Sequence, residues 1–184
     1  MYQLLKRANE DWFKQAGYIA HGSSGIWSKE LEKGLMLVLL FQADKNGWSW
    51  YGNRFTLNFR LTDMQEKDVP LVQCRFGNLV DEAADGNVWI ALTNRVVAKL
   101  QNVKQPPLED WEQPELRESA IKPARRFSAA NDPWMRFYEE EDLAMWWAEF
   151  LEPRMDAMLS RFLSLPRRSL NRPKDGAPTP STAP

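Results

Sequence analysis

The sequence predicts an α+β fold: an antiparallel sheet of about five strands, with N-terminal and C-terminal helices packed on one face and a disordered Pro-rich tail. Two patterns lead there. Residues 53–62 alternate strictly, with Phe55, Leu57, Phe59 and Leu61 at odd positions and Arg54, Thr56, Asn58 and Arg60 at even ones, as in a strand with one buried and one polar face. Nearer the C-terminus, Leu143, Trp146, Trp147, Phe150, Leu151, Met155, Met158, Leu159 and Phe162 keep one helical phase over about five turns. Each apolar face needs a cover. Phe55, Leu57, Phe59, Trp146, Phe150 and Leu159 are therefore expected in one core, with residues 1–165 as a single domain and 166–184 as tail.

Taken in order, Leu5, Ala8, Trp12 and Ala16 mark an amphipathic first helix from Tyr2 to Ala16, with Gly17 placed to end it in a left-handed cap. Tyr18 to His21 and Ile26 to Lys29 read as a small hairpin about the Gly-Ser-Ser-Gly turn at 22–25. Leu35 to Phe41 is apolar at every position, which predicts a strand covered on both faces. After the alternating strand, Gln73 to Gly77 reads as a further strand, Val88 to Leu92 as a short extended piece containing Trp89, and Thr93 to Leu100 as a helix. Pro106, Pro107 and Pro114 break up a linking segment, and the short helix that follows must stop before Pro123.

Pro133 then opens a last strand, Trp134 to Tyr138. The acidic run Glu139, Glu140, Glu141 and Asp142 stands where carboxylates cap the exposed amides of the long helix and complement its dipole. Pro153 falls on that helix's solvent side, so one kinked helix, or two abutting helices on one stripe, is expected. Beyond Leu165 the chain has five prolines and almost no apolar content, the composition of a disordered tail.

Two tryptophans, Trp48 and Trp50, precede the alternating strand and admit two readings. If Gly52 and Asn53 form a two-residue hairpin turn, both indoles fall across from Phe55 and Leu57 in the core. If Leu35 to Phe41 instead pairs directly with residues 53–62, residues 43–52 form a loop at the hairpin end. Trp48 and Trp50 then join Arg54, Asn58 and Arg60 as a candidate partner-binding surface of the residue types that anchor interfaces.

Composition excludes more than it selects. With 43% hydrophobic and 12% aromatic residues the chain can bury an ordinary core. A net charge of −1 gives no bulk attraction to nucleic acid. Residues 107–165 carry 7 Lys and Arg against 13 Asp and Glu, the balance of a solvated helical face. Cys74 is the lone cysteine, charge appears by Lys6, and no apolar run approaches the roughly 20 residues of a membrane span, so a cytoplasmic setting is expected. His21 is the single histidine, in HGSSG at 21–25, which is no nucleophile elbow, and one His with one Cys cannot build a zinc site. No phosphate loop or dinucleotide turn occurs, so neither cofactor nor metal is expected. YGNRFTLNF has the aromatics of an RNA-recognition strand without its Gly-aromatic-Gly core.

The first helix ending in AGY at 16–18, LLFQ at 39–42, FTLNF at 55–59, CRFGNL at 74–79 and Trp89 together resemble an uncharacterised bacterial family, domain of unknown function 4304. The likeness covers roughly the first half of the chain. It implies a small α+β fold and supplies no activity or site. The expectation is a non-catalytic protein-binding module, immunity-like or defence-associated by analogy with such small bacterial domains. A nucleic-acid-binding accessory protein is the alternative.

Overall fold

A computed structural model describes residues 1–32, 34–44, 52–65, 69–104, 114–129 and 133–167. Among them six strands form one antiparallel sheet: β1 (Ile19–Ala20), β2 (Ile26–Glu30), β3 (Leu35–Ala43), β4 (Asn53–Asp63), β5 (Pro70–Arg75) and β6 (Met135–Phe137). They run in the order β1-β2-β3-β4-β5, and β6 also pairs with β4. β5 takes Asn58 to Thr62 and β6 takes Asn53 to Phe55, so the two share one edge of β4 end to end while β3 holds the other. The helices are α1 (Tyr2–Gln15), α2 (Glu82–Gln101), α3 (Pro114–Ile121), α4 (Glu140–Met145) and α5 (Met155–Leu163).

The first helix stops where Gly17 permits it. Gly17 takes φ +82°, its amide donates to Lys14 O at 3.0 Å, and the Tyr18 amide donates to Phe13 O at 2.8 Å. This is a Schellman cap, which spends two otherwise orphaned carbonyls and turns the chain into β1. The expected hairpin follows, with Ile19 opposite Ser28 and Ala20 opposite Trp27.

β3 pairs directly with β4 over nine residues, from Leu35 opposite Asp63 to Ala43 opposite Phe55. The direct hairpin path is thus the one taken. Leu37, Leu39 and Phe41 face Leu61, Phe59 and Leu57 across this ladder, and all six side chains are buried. Helices cover them. Trp147 reaches both layers at once, with its ring 5.7 Å from Trp12, 5.5 Å from Phe13 and 6.5 Å from Phe41. From α5, Phe162 meets Phe59 at 5.6 Å.

Between α4 and α5 the chain winds as a π turn over Trp146–Leu151 and then as a 3-10 turn over Glu152–Arg154. A wide turn followed by a tight one keeps the apolar stripe in phase past the exposed Pro153, whose missing amide falls at the start of the 3-10 turn. Asp142 secures the N-terminus of α4. Its buried carboxylate accepts from the amides of Tyr138 and Glu139 at 2.8 and 3.0 Å and pairs with Lys99 at 2.7 Å. Phe55, Leu57, Phe59, Trp146 and Phe150 are all buried in the one core, and Leu159 packs half-buried against its rim.

Two expectations are corrected. β3 is not covered on both faces: Leu37, Leu39 and Phe41 are buried, whereas Met36, Val38 and Leu40 are only half-buried on the side away from the helices. An uninterrupted apolar run hides which row is the core row. Val88 to Leu92 is not extended but lies within α2, a single helix of 20 residues. Asp81 starts it early, accepting from the amides of Ala83 and Ala84 at 3.0 and 3.1 Å, and Trp89, Leu92, Val96 and Leu100 then share one face. Trp89 lies 5.4 Å from Phe127 and 6.4 Å from Trp146. Ion pairs from Arg95 to Glu149 and from Arg154 to Asp85 bind α2 to the C-terminal helical run.

Residues 105–113 and 168–184 lie outside the described residues, and with them most of the expected linker and tail. The helix expected before Pro123 is α3.

Truncating Phe59 to Ala is expected to destabilise the protein by about 3–5 kcal/mol in denaturant unfolding, because a fully buried ring against Phe162 leaves a cavity under the helices. A loss under about 1 kcal/mol would contradict this packing. Asn9 offers a test of opposite sign. It points into the core from α1 beside Leu5 and Phe13, is 1% exposed, and neither side-chain amide atom has a hydrogen-bond partner. Leu has the same number of side-chain heavy atoms and no polar group to desolvate, so Asn9→Leu is expected to stabilise by about 1 kcal/mol. Destabilisation in the same assay would show that the amide is satisfied.

Candidate functional site

The side of the sheet opposite the helices is built by the residues that alternate with the core. Pairing sets them in rows: Met36 beside Thr62; Ser28, Val38, Arg60 and Gln73; Ile26, Leu40, Asn58 and Arg75; Gln42 beside Thr56; and Arg54 beside Arg136. Two distinct clusters occupy this face.

The first gathers cations around one indole at the β6 end. Trp134, half-buried just ahead of β6, has the Arg54 guanidinium 5.6 Å and the Arg75 guanidinium 5.1 Å from its ring centre. Arg54 is exposed, and its Nε and Nη2 donate to Asp44 Oδ2 at 2.8 and 2.5 Å. A guanidinium at this distance from an aromatic face is attracted by the ring quadrupole. Arg136, adjacent in register to Arg54, is turned instead to the protein, donating to the Ala120 and Ser119 carbonyls at the end of α3. Burial, with the Arg54 charge, pushes its pKa down.

The second cluster is a shallow hollow of about 330 Å³ over β1 to β4, lined by His21, Ile26, Ser28, Met36, Val38, Arg60 and Thr62. His21 and Ser28 are diagonal neighbours across the first hairpin, and Nε2 and Oγ lie 2.6 Å apart. The pair resembles the first two members of a nucleophilic triad. Around it, however, the amides of the paired strand residues belong to the β1-β2-β3 ladder and lie in the plane of the sheet, while the hydroxyl stands out of that plane. Such amides are not aimed where an oxyanion would form.

The candidate surface residues are thus placed in three ways. Arg54 stands in the cation-aromatic cluster, and Arg60, half-buried, lines the hollow. Asn58 is buried, its amide donating to Gln42 Oε1 at 3.2 Å and Leu40 O at 3.4 Å, which ties β4 to β3. Trp48 and Trp50 lie outside the described residues, between Asp44 and Gly52. Trp134, Arg75 and the His21–Ser28 pair are not legible in the sequence, since only the pairing of β1 with β2 and of β4 with β5 and β6 brings them to this face.

Elsewhere, burial raises the Cys74 thiol to about 11, so it is a poor nucleophile at neutral pH. Among the described residues there is no cluster of three or more His, Cys, Asp or Glu side chains able to hold a metal, and no helix is long and apolar enough to cross a membrane. Comparison with family models, with curated proteins and with solved structures finds no match.

Proposed function

We propose that this chain is a non-catalytic protein-binding module that meets its partner through the Arg54–Trp134–Arg75 cluster together with Trp48 and Trp50. The observation that carries the reading is one half-buried indole shared by two guanidinium groups on a sheet face away from the helices. Trp and Arg are the side chains that most often dominate interface energies, because each offers a large apolar plane with a directed polar edge. The fitting partner surface carries carboxylate or carbonyl acceptors around an apolar contact.

A nucleic acid fits less well. The net charge of −1 provides no excess of cations to release counterions from a phosphate backbone. A hydrolase fits less well again, since the His21–Ser28 pair has no aimed amides. An immunity-like or defence-associated role rests on the family resemblance alone.

The test is affinity capture from the native host, identification of the partner by mass spectrometry, and titration of the purified pair. Arg54→Ala with Arg75→Ala is expected to weaken the purified complex at least tenfold while shifting the melting temperature by only a few degrees. Unchanged affinity, or retention on DNA or RNA that falls steeply with salt, would overturn the reading.

A further inference from the structure

The hollow at the other end of the same face has a different chemistry, independent of the cation-aromatic cluster. Its floor is apolar, formed by Val38 with Ile26 and Met36 beside it. Its two walls are polar. Val38 is opposite Ser28 on β2 and opposite Arg60 on β4, so the Ser28 hydroxyl with its His21 partner stands on one side of the floor and the Arg60 guanidinium on the other. We infer that this hollow binds a small amphipathic monocarboxylate, with the carboxylate on Arg60 and the apolar body lying across Val38 toward the His21–Ser28 pair.

Arg60 decides the head group. A guanidinium has five donors and can hold a carboxylate through two parallel hydrogen bonds while still bonding to protein. Among the described lining residues Arg60 is the one cation, and Glu30 stands on the same face beside Met36, so a monoanion is favoured over phosphate. The spacing decides the body. β2 and β4 are two strand separations apart, about 10 Å, which an extended chain of about eight carbons spans. At the far wall the hydroxyl and imidazole, bonded to each other at 2.6 Å, accept a terminal methyl or hydroxyl without needing one.

Methyl-resolved NMR titration of the full chain tests this with three probes: octanoate, 1-octanol and inorganic phosphate. Octanoate is expected to shift the methyls of Ile26, Met36 and Val38 saturably, octanol to bind at least tenfold more weakly, and phosphate to leave these methyls unmoved. Arg60→Met, which keeps the length of the side chain and removes its donors, is expected to lower octanoate affinity about tenfold. Absence of saturable shifts at millimolar octanoate would overturn the site. Equal binding of octanol, an equal response to phosphate, or undiminished binding by Arg60→Met would overturn the proposed head-group recognition. Should Arg60→Met fail to fold, the octanoate-to-octanol comparison on the natural chain decides the question.

Discussion

The structure depends on the position of β4. An 11-residue strand with a neighbour on each edge has its backbone donors and acceptors taken up by ladders to β3, β5 and β6, so its two side-chain rows are left to define two different surfaces. The odd row, Phe55 to Leu61, is wholly buried and calls for a lid. The even row is polar and mixed in exposure: Arg54 is exposed and Arg60 half-buried, while Thr56, Asn58 and Thr62 are buried. The odd row of one strand thereby fixes where the helices must go.

The lid is fastened by aromatics more than by charge. Phe13 of α1 stacks on Trp27 of β2 at 4.7 Å with nearly parallel planes, and Trp147 closes the gap between that pair and Phe41. The π turn makes this possible, because it turns the consecutive Trp146 and Trp147 both inward, one toward Trp89 and the other toward α1. Neighbouring ion pairs such as Arg95–Glu149 are exposed and solvent-screened, and contribute little beyond orienting α2.

Legibility of the sequence followed whether a feature is local. The Gly17 cap, the first hairpin, the alternation of β4 and the Leu143-to-Phe162 stripe each follow from spacing within a few residues, and each is present. β3 misled because its outer row, Met36, Val38 and Leu40, is as apolar as its inner one, so composition carries no facing information. α2 misled because VWIAL has the β-branched and aromatic content of a strand, while the helix is decided by the Asp81 cap upstream and packing on Phe127 and Trp146. The two clusters are harder still. Trp134 meets Arg54 and Arg75 from positions scattered over 81 residues of chain, and the His21 imidazole meets Ser28, whereas Ser24 reaches only the His21 carbonyl.

Both binding regions require a sheet with one sealed face and, on the other, accessible positions at Met36, Val38, Arg54 and Arg60. Solvent paramagnetic relaxation enhancement of side-chain methyls measures that difference residue by residue. The structure predicts strong enhancement at the 68%-exposed Ile19, clear enhancement at Met36 and Val38, and almost none at Leu37, Leu39 and Leu57. Equal protection of Met36 and Leu37, adjacent residues on opposite faces of β3, would contradict the assignment of an accessible face and with it both proposed binding regions.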